Sequence, residues 1–191
     1  MLGRKEKEAA TIYIDSNRFT ATYEFSNTFY EQIRERAEVA EHIILLCIGS
    51  DRATGDCLGP LVGYKLTSSN EVQNEKIVVY GTLEEPVHAQ NLAVTISNIY
   101  NNYKNPFVIA IDASLGRLEY IGYMTICEGS VLPGAGVKKD LPAVGDIHIT
   151  GIVNCSNVIQ VAVLQNTRLS VVMKMADIIS NALISVFKKI K

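Results

Sequence analysis

The sequence predicts an α/β protein: a three-layer α/β/α sandwich built on a mostly parallel sheet. Apolar strands alternate with helical segments along the middle of the chain, and a long amphipathic helix follows them. Strands and helices in this order form parallel sheets with right-handed crossovers. The length of 191 residues and the hydrophobic content of 48% are typical of one domain with a sizeable core.

Residues 1–42 are predicted to form an attached arm, with the α/β domain occupying residues 43–191. The arm begins with an extended piece from Thr11 to Ile14. A helix then follows from Ser26, a residue type that caps helices, to about Ala40. Its apolar residues recur at helical spacing: Phe29, Ile33 and Ala37.

The first half of the α/β domain contains three strands that are apolar on both faces. They are residues 43–50, 76–81 and 107–113. Helices are predicted between them, one starting near Pro60 and one from about Pro86 to Tyr100, because proline is favoured at the first helical position.

The second half contains two further strands and the closing helix. The strands span residues 121–129 and 146–152, with a glycine-containing loop at 133–145 between them. From Arg168 to Lys191 apolar residues recur every three to four positions, so this helix should pack on the sheet.

Composition and charge exclude several classes of partner. With 18 basic and 20 acidic residues the net charge is -2, so nucleic acid is not expected to bind. The longest uninterrupted apolar run is six residues, Ile43 to Ile48, against the roughly 20 of a membrane-spanning helix, and no membrane is expected as a partner. The N-terminal residues lack the apolar core of a secretory signal, which predicts a cytoplasmic protein.

The cysteines and the common enzyme motifs offer no site. Cys47, Cys57, Cys127 and Cys155 are widely and irregularly spaced, as expected of buried apolar residues rather than of a disulfide or a zinc site. The segment after the first strand, GSDRATGDCLGP, lacks the pattern of a phosphate-binding loop, and its acidic residues would repel a phosphate.

Three polar residues at the ends of predicted strands are the candidate functional residues. Asp56 follows the first strand, Asp112 ends the strand FVIAID, and His148 lies in the late strand DIHITG. In open parallel sheets the ligand crevice lies beyond the carboxyl ends of the strands. Two carboxylates held close together can act as an acid and a base, and with an imidazole they can bind a divalent metal.

Each candidate also has a purely structural interpretation. Asp56 could cap the following helix, and His148 could be a hydrogen-bonded core histidine. His88 could line the crevice or serve as a helix-start charge. The PGAG segment, with Gly134 and Gly136, could form an oxyanion-binding nest or a tight turn. Asp112 is harder to explain structurally, because a charge that ends so apolar a strand must be paired.

Three segments in the same order resemble motifs of the bacterial spore germination protease, which degrades small acid-soluble spore proteins. They are IGSDRATGDCLGP (48–60), VIAIDAS (108–114) and PGAGV (133–137). As a whole the chain resembles the YyaC-like sporulation proteins, relatives of that protease. It is more distantly similar to the hydrogenase maturation endopeptidases.

The resemblance implies roles for the candidate residues. In the spore protease the two matching aspartates are the proposed catalytic pair, which places that pair on Asp56 and Asp112. In the hydrogenase branch the matching residues, Asp56, Asp112 and the histidine of the HxxG segment, His148, together bind metal. The spore protease motif has a proline where this chain has Gly55, and this chain is much shorter.

The sequence and the resemblance together predict an endopeptidase of sporulating or germinating cells. Asp56 and Asp112 are the expected catalytic residues, with His88, His148, Gly134 and Gly136 binding substrate or supporting the pair. No cofactor is expected to be required, and any divalent metal on Asp56, Asp112 and His148 should bind only weakly. The substrate is expected to be a protein or peptide. The alternative is a catalytically silent peptide-binding or regulatory protein with the same fold.

Overall fold

The computed structural model describes residues 10–69, 75–134, 141–156 and 160–190, which fold around one six-stranded sheet. The strands are β1 (Ile12–Asp15), β2 (Ile43–Cys47), β3 (Ile77–Tyr80), β4 (Phe107–Gly116), β5 (Tyr123–Glu128) and β6 (Ile147–Cys155). The helices are α1 (Ala21–Val39), α2 (Leu58–Ser68), α3 (Leu92–Asn102), α4 (Gln160–Gln165) and α5 (Leu169–Phe187). Short 3-10 turns occupy Thr54–Cys57 and Leu118–Tyr120.

The sheet is mostly parallel, as predicted. Its strand order is β1-β5-β6-β4-β2-β3, and β3, β2, β4 and β6 pair in parallel. Only β5 runs in the opposite direction, since it is antiparallel to both β6 and β1. The carboxyl ends of β2 and β4 therefore lie side by side at one edge of the sheet.

Helices cover both faces of the sheet and complete the predicted three layers. Alternate residues of β2 enter different cores: Ile43, Leu45 and Cys47 pack with α1, α2 and α5, while Ile44 and Leu46 pack with α3. All five are fully buried, which explains why this strand is apolar at every position.

Helix α5 is long and apolar enough to cross a membrane by length and composition alone. In the structure it packs against α1 and α2 over the sheet. Its buried side chains include Val172, Met175, Ile179 and Leu183. The predicted packing of this helix on the sheet is confirmed, and burial in the core accounts for its apolar stripe.

Two predicted helix starts are wrong. Helix α1 begins at Ala21, so Ser26 lies inside the helix, where its hydroxyl donates to the Tyr23 carbonyl at 3.0 Å instead of capping. Helix α3 begins at Leu92, because Val87 bridges to Ile48 and residues 89–91 form a turn. Helix α4 was not predicted.

The segment predicted as an arm contributes to the same sheet and core as the rest of the chain. Strand β1 pairs with β5 along its length. Phe25, Phe29 and Ile33 of α1 are fully buried in the core shared with α5. The boundary at residue 42 remains a prediction.

Candidate active site

A cleft of about 200 Å³ opens at the carboxyl ends of β2 and β4. Asp56, Asp112 and His88 all line it, together with Ser50, Arg52 and Gly134. The structure thus brings together both predicted aspartates, one of the two candidate histidines and one glycine of the PGAG loop.

The backbone around Gly49 positions Asp56. Gly49 has a φ of 137°, and a Cβ there would overlap the Asp56 carbonyl oxygen, so only glycine fits. The Ser50 amide donates to that carbonyl oxygen at 3.1 Å. The Ser50 hydroxyl also donates to Asp56 Oδ2 at 3.0 Å. The turn therefore fixes the backbone and the carboxylate of Asp56 through one neighbouring residue.

Asp112 is a buried carboxyl at the point where β4 leaves the apolar core, with only 6% of its surface exposed. Its Oδ1 accepts the Ala113 amide at 2.8 Å, and the Gly134 amide also donates to the carboxyl. Burial, followed by repulsion from the Asp56 charge, raises the pKa of Asp112 to about 7. Asp112 is therefore balanced between its neutral and ionised forms at neutral pH.

Asp56 has a different balance of influences. Burial is the largest influence and raises the pKa of Asp56 above its usual value, although the Ser50 hydroxyl, the Ser50 amide and the charge of His88 each act to lower it. The donors from Ser50 favour the ionised carboxylate, and the apolar surroundings of Asp112 favour its neutral acid. Both pKa values are raised by burial, and the different surroundings of the two carboxyl groups in one cleft suit them to acid and base roles.

His88 lies on a braced loop at the rim of the cleft. Val87 bridges to Ile48, and its carbonyl accepts the Gly49 amide at 2.8 Å, which ties the loop to the end of β2. His88 Nδ1 accepts the Gln90 amide at 3.3 Å. The Gln90 amide therefore orients the His88 ring at the rim of the cleft.

His148 lines a different cavity from the two aspartates, so the structure does not bring the three expected metal ligands together. His148 pairs with Ala110 of β4, two residues before Asp112, whose partner in β6 is Thr150. Its Nδ1 bonds to the Gly129 carbonyl at 2.9 Å, and its ring lines a separate groove. Within the described ranges no three His, Cys, Asp or Glu side chains form a group that could hold a metal ion.

The PGAG loop is described only in part. Gly134 lies at the cleft and directs its amide to Asp112, so it supports the carboxyl group rather than presenting a vacant anion nest. Gly136 lies outside the described residues.

Two residues of the cleft were missed by sequence reasoning. Ser50 follows the strand directly, and the only signal was its position between Gly49 and an acidic segment. Arg52 lines the rim and is exposed.

Gly55, the departure from the spore protease motif, is packed against the C-terminal part of the chain. A Cβ at this position would press against the side chains of Leu164 and Thr167. Glycine therefore lets the turn that carries Asp56 approach the end of α4 closely.

The sandwich with its cleft at the carboxyl edge has the fold of a hydrogenase maturation protease. The solved [NiFe] hydrogenase maturation protease HycI from Thermococcus kodakarensis KOD1 matches with a TM-score of 0.55 and 14% sequence identity. The match covers 84% of this chain and 99% of that one. This likeness confirms the predicted fold class.

The chain belongs to the family described as protein of unknown function (DUF1256), whose model matches residues 13–182. It is 46% identical over 177 residues to the uncharacterized protein YyaC of Bacillus subtilis (strain 168). That alignment covers 93% of this chain and 84% of the relative. The assignment to the YyaC-like proteins is thereby confirmed.

Proposed function

We propose that this protein is an endopeptidase that hydrolyses peptide bonds with the pair Asp56 and Asp112. One observation carries the proposal: the two carboxyl groups line one cleft, and Asp112 has a pKa raised to about 7 by burial and by the Asp56 charge. Near neutral pH Asp112 is therefore protonated in a large share of the molecules, so that it can act as an acid while ionised Asp56 acts as a base.

The roles follow from the surroundings of each carboxyl group. Ionised Asp56, stabilised by the Ser50 hydroxyl, takes a proton from a water molecule as the water oxygen attacks the scissile carbonyl carbon. Protonated Asp112 donates its proton to the departing amine as the carbon–nitrogen bond breaks. The proton that Asp56 has gained then returns to Asp112 through solvent, and the pair is restored.

His88 and Gly134 support this pair. The His88 imidazole nearby lowers the pKa of Asp56 and so favours its ionised form. The Gly134 amide holds the Asp112 carboxyl in place. His148 takes no part in the proposed chemistry, since it lines another groove.

The substrate and the setting belong to the proposal. A protein or peptide substrate fits a cleft that is open to solvent and adjoins a larger cavity of about 470 Å³. The protease fold shared with the HycI structure supports hydrolysis of a polypeptide. Action in the cytoplasm of the sporulating cell or in the spore interior rests on the resemblance to sporulation proteins.

One observation favours a second candidate, a catalytically silent protein that binds a peptide in the same cleft. Asp112 accepts amides from both Ala113 and Gly134, so part of its hydrogen-bonding capacity is used within the fold. A carboxyl held in this way could serve structure alone.

The test is cleavage by purified protein. The native protein and its Asp112→Asn form are each incubated with an extract of sporulating cells, and new peptide termini are mapped by mass spectrometry. New termini made by the native protein and absent with Asp112→Asn support the endopeptidase. No new termini with native protein, or the same termini with both proteins, would reject the aspartate-pair mechanism.

A further inference from the structure

A second cavity adjoins the aspartate cleft and shares His88 with it. It has a volume of about 470 Å³ and lies between β3 and α3. Val79 and Tyr80 form one wall, and polar side chains of α3 form the other. We call this cavity the β3 groove. Because His88 lines both spaces, the groove leads directly to the carboxyl pair.

Strand β3 is the last strand of the sheet on this side, and no strand in the described part of the chain pairs with its outer edge. The Ile43 amide donates to the Lys76 carbonyl at 2.8 Å, so the backbone groups of Lys76 point toward β2. In a strand, neighbouring residues point their backbone groups to opposite sides. The amides and carbonyls of Ile77 and Val79 therefore point outward, where a further strand could pair with them.

The opposite wall carries amide and hydroxyl groups in a row. Asn91, at the start of α3, and Thr95 and Asn98 within it are spaced four and three residues apart, and all three line the groove. Asn91 and the Thr95 hydroxyl also bond within the fold, so this wall is a fixed polar surface that a peptide of any sequence can lie against.

The loop at the end of the groove is rigidly braced. Asn91 Oδ1 accepts the His88 amide at 2.8 Å, and Asn91 Nδ2 donates to the Pro86 carbonyl at 3.0 Å. The Thr82 hydroxyl accepts the Glu85 amide at 3.1 Å. His88 is thereby held at a fixed junction between the groove and the cleft.

We propose that the β3 groove binds the polypeptide substrate as an added strand along β3, which guides the chain past His88 to Asp56 and Asp112. The ligand class rests on the proposed function. Main-chain pairing with Ile77 and Val79 supplies affinity, and the row of Asn91, Thr95 and Asn98 lines the other side of the bound chain. The groove around His148 is a weaker candidate for this role, because none of the described residues lines both that groove and the cleft.

The experiment uses full-length Asp112→Asn protein, which keeps the groove but cannot cleave by the proposed mechanism. A library of random dodecapeptides displayed on phage is selected against it, and an enriched peptide is synthesised with a fluorescent label. Binding is measured by anisotropy in this background and after adding Val79→Pro. Proline removes only an amide that points away from β2, and edge strands tolerate it at such positions. Val79→Ala is the matched control, because it shortens the side chain and keeps the amide.

We expect Val79→Pro to raise the Kd by about tenfold or more, and Val79→Ala to change it by less than about threefold. Methylating alternate amides of the peptide should weaken binding in the same way, and this second measurement does not depend on how the protein variant folds. Enrichment of no peptide, equal Kd values for Val79→Pro and Val79→Ala, or full binding of the methylated peptide would each overturn the inference. Peptide binding through β3 without any cleavage by native protein would reject the proposed function and leave the docking mode standing.

Discussion

The aspartate cleft and the His148 groove, which contains His148, Ser114, Thr125, Thr150 and Tyr120, lie on neighbouring parts of the same sheet. The groove is the larger, with about 520 Å³ against about 200 Å³ for the cleft. Its polar groups satisfy one another: the Thr125 and Thr150 hydroxyls bond at 2.7 Å, and the Ser114 hydroxyl donates to Thr150 at 3.3 Å.

The cleft contains two carboxyl groups that repel each other instead. Burial raises the pKa of Asp112, and the Asp56 charge raises it further. Polar groups that satisfy one another stabilise a surface, whereas acids that are desolvated and repelled are ready to exchange protons. The smaller cavity is therefore the better candidate for chemistry, because its two carboxyl groups are desolvated and repel each other. Its smaller volume does not count against it.

The largest expected effect is on kcat, and it compares one residue of each region, both on β4. If the pair catalyses hydrolysis, Asp112→Asn should lower kcat by about a thousandfold or more, since general acid catalysis would be lost. Ser114→Ala, two residues along β4 in the His148 groove, is the matched control and should change kcat by less than about threefold. Rates are measured on the substrate found by terminus mapping. Equal losses of kcat in both variants would show that the cleft has no special role in catalysis compared with the groove.

The second prediction concerns stability. The folded pKa of Asp112, about 7, lies above the ordinary value of 3.8, so the folded protein binds this proton more tightly than the unfolded chain. Stability from this group is therefore fully present below about pH 4 and is lost as pH rises toward about 7.

The free energy of unfolding in urea should accordingly be about 2 to 4 kcal/mol higher for Asp112→Asn than for the native protein at about pH 8. At about pH 4 the two free energies should differ little. Asp51→Asn, at an exposed carboxyl, is the control and should change stability by less than about 0.5 kcal/mol at either pH. A destabilised Asp112→Asn protein at high pH would mean that the carboxylate is fully compensated by its donors.

The third prediction concerns the hydrogen bond from Ser50 that stabilises ionised Asp56. Ser50→Ala removes the hydroxyl that donates to Asp56 Oδ2 and lowers its pKa. The pKa of Asp56 should rise, the acid limb of the pH–rate profile should move to higher pH, and kcat at neutral pH should fall by about tenfold. Ser50→Thr keeps a hydroxyl and should restore most of the rate. If Ser50→Ala leaves the acid limb of the pH–rate profile unchanged, the ionised carboxylate of the reaction is not Asp56.

The smallest expected effect is at His148. Because its ring bonds to Gly129 outside the cleft, His148→Ala should leave kcat within about twofold of the native value. Calorimetric titration with zinc and nickel at neutral pH should give the same weak signal with native and His148→Ala proteins. If the native protein binds metal tightly and His148→Ala abolishes that binding, His148 binds metal together with the aspartates. The two regions would then not be separate sites.

The sequence allowed much of the fold to be predicted because β2 is apolar at every position and β4 is apolar from Phe107 to Ile111, which indicates strands buried on both faces. The placement of Asp56 and Asp112 in one cleft followed from the rule that parallel strands end at a common edge. Ser26 misled the prediction of α1, because a hydroxyl inside a helix can bond backward to a carbonyl as well as cap.

The position of His148 could not be predicted because strand membership does not fix register. One strand pairing decides whether a residue of β6 lies beside Asp112 or beside Ala110, and that pairing depends on the whole sheet. The role of Ser50 was also hidden, since it depends on the turn that Gly49 makes possible.

Carbon-13 NMR titration of the Asp112 side-chain carboxyl, in the native protein and in Asp56→Asn, measures the coupling between the two carboxyl groups. We expect a midpoint near 7 in the native protein, where burial and the Asp56 charge both disfavour ionisation. In Asp56→Asn the midpoint should fall, because the repulsion is gone, while remaining above 3.8 because burial persists. A native midpoint near 3.8, or a raised midpoint that Asp56→Asn leaves unchanged, would contradict the coupled pair.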